Sequence, residues 1–287
     1  MLLALAINVA MLGVALVGGL LTGSLAALAD AGHVLSDVGA ILLGLLGASL
    51  ATRAGGPRRT FGLQRSEVIA ALANGLVLLA IAVLVAIAAI NRLADPPEVA
   101  GGGVLAIGLF GLAGNAAASW ILARGDRRDV NLEGVLRHSF ADALGSLAVV
   151  VSGATVLATG WLQADPVAGL VVAVLILIAS GRLVLEPLEV LMETAPTDLD
   201  VDELGKSLCN VDGVMAVHEL HVWTVTPGFV ALSAHVVTMP GRDRDRVRRD
   251  LEYLLRDRYA ISHTTLQMEE AADEGALLQV QGPLQGP

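Results

Sequence analysis

Two pairs of residues with the same spacing stand in apolar stretches of this chain. His33 and Asp37 form one pair, and His138 and Asp142 form the other. Residues four apart lie on one face of an α-helix, so each pair would direct one imidazole and one carboxylate the same way. Two nitrogens and two oxygens in a tetrahedron suit Zn²⁺, and the same donors also bind Co²⁺, Cd²⁺, Mn²⁺ or Fe²⁺. The pairs therefore predict one divalent-metal site built from two helices.

The composition indicates that these helices cross a membrane. Of the 287 residues 55% are hydrophobic and only 16% are charged, and the mean hydropathy is +0.70. A bilayer-spanning helix needs about 20 mostly apolar residues. Six runs of that kind predict spans over residues 2–21, 25–50, 68–90, 103–123, 132–157 and 166–184.

The arginines of the connecting loops predict the orientation. They concentrate after the second span and after the fourth, whereas the loops after the first and fifth spans have no Lys or Arg. The positive-inside rule then puts both termini in the cytoplasm. The second and fifth spans run in opposite directions, and a rise of about 1.5 Å per residue places Asp37 and Asp142 near mid-bilayer. The two His–Asp pairs are therefore expected to meet from opposite sides.

Other polar residues also fall inside the predicted spans. Ionisable groups in a bilayer are costly and usually have a function or a buried partner. Asp30 and Arg137 lie nearer the span ends, which favours an interfacial or structural role over metal ligation. Asn74 and Asn115 are expected to join helices through hydrogen bonds.

Five stretches of the sequence resemble the cation diffusion facilitator family, and in particular its bacterial cobalt–zinc–cadmium efflux type. They are GGLLTGSLAALADAGHVLSD (18–37), RRTFGLQRSEVIAALANG (58–75), RHSFADALGS (137–146), ADPVAGL (164–170) and VHELHVWTVTPGFVALSAHV (217–236). The resemblance implies a proton-coupled antiporter that exports Zn²⁺, and also Cd²⁺ or Co²⁺, through His33, Asp37, His138 and Asp142. It further implies a homodimer in a bacterial inner membrane, with lipid, protons and the divalent metal as its partners. Zn²⁺ would be both the transported substrate and a regulatory ligand.

The residues after the last span predict a small α+β domain. Helices are expected over 200–209 and 242–258, and strands over 214–225, 229–238 and 264–268. The order αββαβ is similar to the metallochaperone-like, ferredoxin-like domain of the family. We therefore predict a six-helix membrane domain over 1–190, a cytoplasmic metal-binding and dimerisation domain over 191–272, and a disordered tail over 273–287.

Four of the six histidines lie in this C-terminal part of the chain. A two-residue turn at Pro227-Gly228 would make His218 and His235 diagonal neighbours on one face of a hairpin. A slip of one residue would bring in His221 instead. The resemblance favours a second metal site of four ligands: His218, His235, His263 and Glu269.

Several other function classes compete with metal efflux. The net charge of −10 argues against a nucleic-acid partner. An intramembrane metalloenzyme would need an open metal position and a motif such as HExxH, which the sequence lacks. A proton-coupled exporter of an organic solute would favour substrate-facing aromatics, yet aromatics make up only 3% of the chain. A Mn²⁺ or Fe²⁺ exporter and a non-transporting metal sensor are further alternatives.

Overall fold

A computed structural model describes residues 2–52, 56–123 and 132–270. The side chains of residues 2–4, 118–119, 121–123 and 132–139 lie outside the description. The chain divides into two compact units, of which the first comprises Met1–Leu50 and Ile69–Glu186 and the second Ala51–Val68 and Pro187–Pro287. The predicted tail over 273–287 falls outside the described residues.

Six long helices form the first unit and confirm the predicted all-helical membrane part. They are α1 (Leu2–Thr22), α2 (Leu25–Ala51), α3 (Ser66–Ala94), α4 (Gly101–Ala123), α5 (Leu132–Thr159) and α6 (Ala164–Leu191). Five helices of the described chain are long and apolar enough to cross a membrane, and α4 adds a shorter apolar stretch, Gly101–Ala117. Helix α3 extends beyond the predicted span 68–90, so that Arg92 lies in its last turn.

The outward surfaces of these helices are apolar. Leu84 on α3 and Ile178 on α6 expose 66% and 71% of their area, although both are large aliphatic side chains. Such surfaces are unfavourable in water and suit the hydrocarbon of a bilayer.

Helix α2 contributes to two buried apolar clusters. One joins α2 to α3 and α6, and the other joins α2 to α1, α4, α5 and α6. Examples are Leu25, Leu78 and Val172 in the first cluster and Ala27, Val104 and Val149 in the second. Helix α2 therefore has packing partners on both sides.

Helices α4 and α5 approach each other closely because glycines replace larger side chains at their contact. A Cβ on Gly108 would lie only 2.7 Å from the backbone nitrogen of Val150, and one on Gly101 only 2.8 Å from that of Leu157. Small residues allow this close approach between membrane helices. The contact holds α5, which carries Asp142, against α4.

The second unit contains the small α/β domain that the sequence predicts. Its elements are α7 (Val201–Cys209), β1 (Val214–Thr226), β2 (Phe229–Thr238), α8 (Arg244–Tyr259) and β3 (His263–Glu270). The sheet order is β1-β2-β3, with β1 antiparallel and β3 parallel to β2. The helices and the sheet share one apolar core, which includes Leu204, Leu208, Leu232, Leu251 and Leu255.

The register of the β1–β2 hairpin differs from the one expected for a regular hairpin with a two-residue turn. Three irregularities interrupt the β1–β2 ladder, and two of them lie between the turn and His218. Each irregularity shifts the pairing by one residue. The two shifts together therefore keep His218 on the same face of the sheet and move its partner on β2 by two residues. His218 therefore pairs directly with His235 instead of diagonally, and His221 pairs with Ser233.

Candidate metal centres

Three of the four predicted membrane ligands converge between α2 and α5. The Nε2 atom of His33 lies 2.8 Å from Oδ1 of Asp142, with both side chains largely buried. One donor atom each from His33, Asp37 and Asp142 fall within 4.8 Å of one another. Since two of these residues belong to α2 and the third to α5, a metal bound here would link the two helices.

The fourth predicted ligand, His138, lies in α5 one turn before Asp142. Residues four apart share a helix face, so its position is compatible with the same centre. Its side chain lies outside the described part of the structure, and its role as a ligand stays a prediction.

Asp30 lies close to this centre but has other partners. Only 5% of the surface of Asp30 is exposed. The structure therefore places it among the packed helices and not at the surface of the membrane. Its carboxylate hydrogen-bonds to Ser146, whose hydroxyl also accepts a hydrogen bond of 3.2 Å from Asn115 Nδ2. A Cβ on Gly145 would lie 3.0 Å from the Asp30 carboxylate, so this glycine gives the acid its space. Arg137, predicted like Asp30 to be interfacial or structural, has its side chain outside the description.

A second polar contact supports the α2 side of the centre. Asn74 Nδ2 of α3 donates to Ser36 Oγ at 3.0 Å, and both residues are buried. Ser36 directly precedes Asp37 in the chain. The expectation that Asn74 and Asn115 join helices by hydrogen bonds is confirmed by these two contacts.

A second group of side chains that could hold a metal lies on the sheet of the second unit. His218 Nε2 is 3.1 Å from Glu269 Oε2, and His235 Nδ1 is 2.8 Å from Glu269 Oε1. The two imidazole rings have centroids 5.1 Å apart. The three side chains are about a quarter exposed, which leaves this group open to solvent ions.

The electrostatics of this group favour an ionised carboxylate. The hydrogen bond with His218 lowers the pKa of Glu269 below its usual range, and that with Gln267 adds to the effect. Two imidazoles and one ionised carboxylate form a donor set that Zn²⁺ uses in proteins. The residues present therefore fit a bound divalent metal.

Two further histidines of the second unit lie outside this group, and only for His263 does this differ from what the family resemblance implies. His263 is remote from the three-residue group, since its ladder partner is Ala231 whereas that of His235 is Gln267. Its ring lies instead edge-on to Phe61 and Phe229, with centroids 5.5 and 5.4 Å away. His221 is exposed outside the group.

Glu219 is a neighbour of this group that the alternation of β1 does not predict. It has a φ of 48° and lies within the bulge between His218 and His221. This bulge brings its Oε2 atom to 3.4 Å from His235 Nε2. A left-handed non-glycine residue inside a strand has no clear signature in one sequence.

Comparison with known proteins decides the family. The family model described as the cation efflux transmembrane domain matches residues 1–192. A model described as the cytoplasmic domain of cation efflux proteins matches residues 196–271. The chain belongs to the cation efflux family. The matched residues include both groups of candidate metal ligands.

Individual relatives match the sequence of this chain along most of their own length. A cadmium, cobalt and zinc/H⁺-K⁺ antiporter of Bacillus velezensis is 36% identical over 261 residues, covering 89% of this chain and 83% of the relative. The zinc transporter ZitB of Escherichia coli is 37% identical over 258 residues, covering 89% and 82%. The metal cation efflux protein CzcD of Cupriavidus metallidurans is 32% identical over 275 residues, covering 96% and 87%.

Membership in the cation efflux family confirms three sequence predictions. The chain is a multi-pass membrane protein, its C-terminal α/β domain is a cytoplasmic domain, and it is a transporter and not an enzyme. The geometry adds that one group of side chains able to hold a metal lies between membrane helices and another lies on the sheet of the cytoplasmic domain.

Proposed function

We propose that this cation efflux protein exports Zn²⁺ from the cytoplasm in exchange for protons, and that Cd²⁺ and Co²⁺ share the path. The metal binds His33, Asp37, His138 and Asp142 at a tetrahedral mid-membrane site. The single observation that carries this proposal is the convergence of His33, Asp37 and Asp142 between two membrane helices. Nitrogen and carboxylate donors in this ratio suit Zn²⁺ and the neighbouring divalent metals.

The contact between His33 and Asp142 supports the exchange with protons. Atoms Nε2 and Oδ1 at 2.8 Å can hydrogen-bond only if one of them carries a proton. A metal ion that binds both atoms must displace that proton, since it coordinates a neutral imidazole and an ionised carboxylate. Reprotonation from the other side of the membrane would then expel the metal, with alternating access supplying the switch.

The relatives support the choice of substrate and mode. One is named as a cadmium, cobalt and zinc antiporter that uses H⁺ and K⁺, and another as a zinc transporter. We extend both properties to this chain. We further propose that it resides in a bacterial inner membrane as a homodimer with both termini in the cytoplasm, as the loop arginines predict.

For the cytoplasmic centre we propose a regulatory metal bound by His218, His235 and Glu269. Their mutual distances and partial exposure suit an ion that exchanges with the cytoplasm. Metal bound on the sheet could bias the transporter through the dimer only if its affinity differs between transporter states. Cytoplasmic zinc would then raise the export rate.

The test is transport by the purified protein in proteoliposomes that carry an imposed pH gradient. Zn²⁺ movement should follow the gradient and stop when a protonophore collapses it, whereas Asp142→Asn should be inactive. Parallel assays with Cd²⁺, Co²⁺, Mn²⁺ and Fe²⁺ determine selectivity. Transport of Mn²⁺ or Fe²⁺ without Zn²⁺, or Zn²⁺ transport that ignores the pH gradient, would contradict the proposal.

A further inference from the structure

A buried carboxylate connects α6 to the beginning of α2. Asp165, in the first turn of α6, is fully buried. Its carboxylate accepts hydrogen bonds from Ser24 Oγ at 2.5 Å, from the backbone N–H of Leu25 at 2.6 Å and from that of Ala26 at 3.4 Å. A side chain of one membrane helix thus caps the N-terminus of another.

The same turn is held from a third helix. Arg92, near the end of α3, donates from Nη1 to the backbone oxygen of Gly23 at 2.8 Å. Gly23 adopts a φ of +70°, and a Cβ there would lie 3.2 Å from the Glu98 backbone oxygen, so the position requires glycine. We name the four residues Gly23, Ser24, Arg92 and Asp165 the α2 clamp.

The α2 clamp combines a helix cap with hydrogen bonds to a buried carboxylate. Ser24 caps its own helix by accepting a hydrogen bond from the Ala27 N–H at 3.1 Å, while its hydroxyl proton goes to Asp165. A carboxylate at a helix N-terminus also interacts favourably with the helix dipole. Hydrogen bonds to a charged acceptor that is shielded from water are among the strongest in proteins.

The position of the clamp relates it to metal transport. His33 and Asp37 follow Leu25 by eight and twelve residues, or about 12 and 18 Å along α2. The clamp and the apolar cluster around Leu25 and Val172 fix the beginning of this helix to α3 and α6. Asp142 lies on α5, which packs closely on α4 and shares a second apolar cluster with α2. The clamp is therefore one of the contacts that set the distance between the two halves of the metal site, and it acts at the end of α2.

We propose that Asp165 and Arg92 are positioning residues of the transport cycle. They fix the end of α2 on α3 and α6, so that His33 and Asp37 keep one position while access to the site changes. This inference rests on the proposed transport site. It goes beyond that site because neither residue contacts the metal ligands through any bond described above.

The test compares turnover with metal affinity in proteoliposomes, using Asp165→Asn and Arg92→Gln. We expect each variant to lower the maximal Zn²⁺ transport rate about tenfold with little change in KM, the pattern of a lost interaction that serves turnover. Zinc bound per chain at equilibrium should stay at the wild-type value. Amide hydrogen exchange at Leu25 and Ala26 should accelerate in Asp165→Asn. Ser180→Ala, which removes another buried hydroxyl group from α6, should transport like wild type.

A paired variant separates the connection between helices from a simple helix cap. Ser24→Asp with Asp165→Asn should regain transport, because the amide introduced on α6 can donate to the new carboxylate on α2. Ser24→Asp with Asp165→Ala restores only the cap of α2, and should remain slow. Equal recovery in both double variants would overturn the proposal, since the cap alone would then suffice.

The remaining outcomes are also decisive. Wild-type turnover in folded Asp165→Asn, or loss of zinc binding together with turnover, would overturn the positioning role. If Asp165→Asn does not fold, Arg92→Gln decides by the same criteria. Slow transport in the clamp variants together with normal transport in Asp142→Asn would refute the proposed metal site, and with it the claim that the clamp positions the ligands of that site. Slow clamp variants that keep wild-type zinc binding, together with an inactive Asp142→Asn, support both proposals.

Discussion

His33 and Asp142 are separated by 109 positions in the chain, yet their side chains lie 2.8 Å apart, Nε2 to Oδ1. The contact joins α2 to α5, two helices that the loop arginines predict to cross the membrane in opposite directions. The hydrogen bond between them thus occupies two atoms that a metal ion would use. This relationship makes the protonation of the site and its occupancy by metal mutually exclusive at those atoms.

The first prediction concerns which acid on α2 binds metal. Asp37→Asn and Asp142→Asn should weaken zinc binding by more than the roughly 10–100-fold that is typical for residues that merely support ligands. Asp30→Asn, a buried acid on the same helix as Asp37, should keep wild-type affinity because Ser146 and not the metal is its partner. Equilibrium zinc binding to the detergent-solubilised protein measures all three. Equal losses in Asp30→Asn and Asp37→Asn would refute the assignment.

The convergence of His33, Asp37 and Asp142 was largely predictable from the sequence because its signals are local. Apolar runs fix the helices, and the spacing of four fixes the faces of His33 and Asp37. The burial of Asp30 against Ser146 was not predictable, since it depends on how α2 packs on α5. The role of Asp165 was missed for the same reason: its partners lie about 140 residues earlier in the chain.

The second prediction concerns the register of the cytoplasmic hairpin. His218→Ala should remove about one zinc per chain, because the ring pairs with His235 and Glu269 in one donor group. His221→Ala is the matched control, since this exposed histidine lies three residues along the same strand and outside the group. Metal content of the full-length protein after equilibrium dialysis gives the readout. A larger loss in His221→Ala than in His218→Ala would mean that the strand register is different.

The sequence could not decide between those two histidines because the answer depends on β-bulges. Alternation along a strand predicts which side chains share a face only while the ladder is regular. Here two irregularities between the turn and His218 shift its partner by two residues. The left-handed Glu219 belongs to the same bulge and approaches His235.

The third prediction concerns His263, which the family resemblance favours as a ligand. His263→Ala should leave the zinc content unchanged, because its ring packs against Phe61 and Phe229. The substitution should instead destabilise the second unit by about 0.5–1.5 kcal/mol for each edge-on aromatic contact that is lost. Thermal unfolding with parallel metal analysis separates the two effects. Loss of one zinc with unchanged stability would restore the histidine to the ligand set.

The fourth prediction concerns acid stability of the protein in the presence of a chelator. Because the hydrogen bond with His218 lowers the pKa of Glu269 in the folded state, its stabilising contribution is present above the unfolded pKa, ordinarily about 4.3. That contribution disappears as the pH falls through the lower, folded value. Unfolding temperatures measured with the chelator should therefore fall less steeply in Glu269→Gln than in wild type below that pH. Glu270→Gln is the neighbouring control and should keep the wild-type slope.

The fifth prediction concerns the hydrogen bond that supports Asp37 from α3. Ser36→Ala removes the acceptor of Asn74 Nδ2 and leaves a buried amide without that partner, which typically costs about 1–3 kcal/mol. Without this hydrogen bond, α2 should shift near Asp37. Zinc transport should therefore slow severalfold in the protein that remains folded. Ser152→Ala, a buried serine on α5, removes a hydroxyl group of the same size outside this contact and should transport normally.

A further substitution tests whether the bond or only the volume matters at this position. Asn74→Leu keeps most of the side-chain volume and removes the donor, so it should reproduce the slow transport of Ser36→Ala. The double variant should be no slower than either single variant, because residues that act through one bond are not additive. Independent, multiplying effects in the double variant would mean that Ser36 and Asn74 act on the metal site separately, and the proposed support of Asp37 through their hydrogen bond would be wrong.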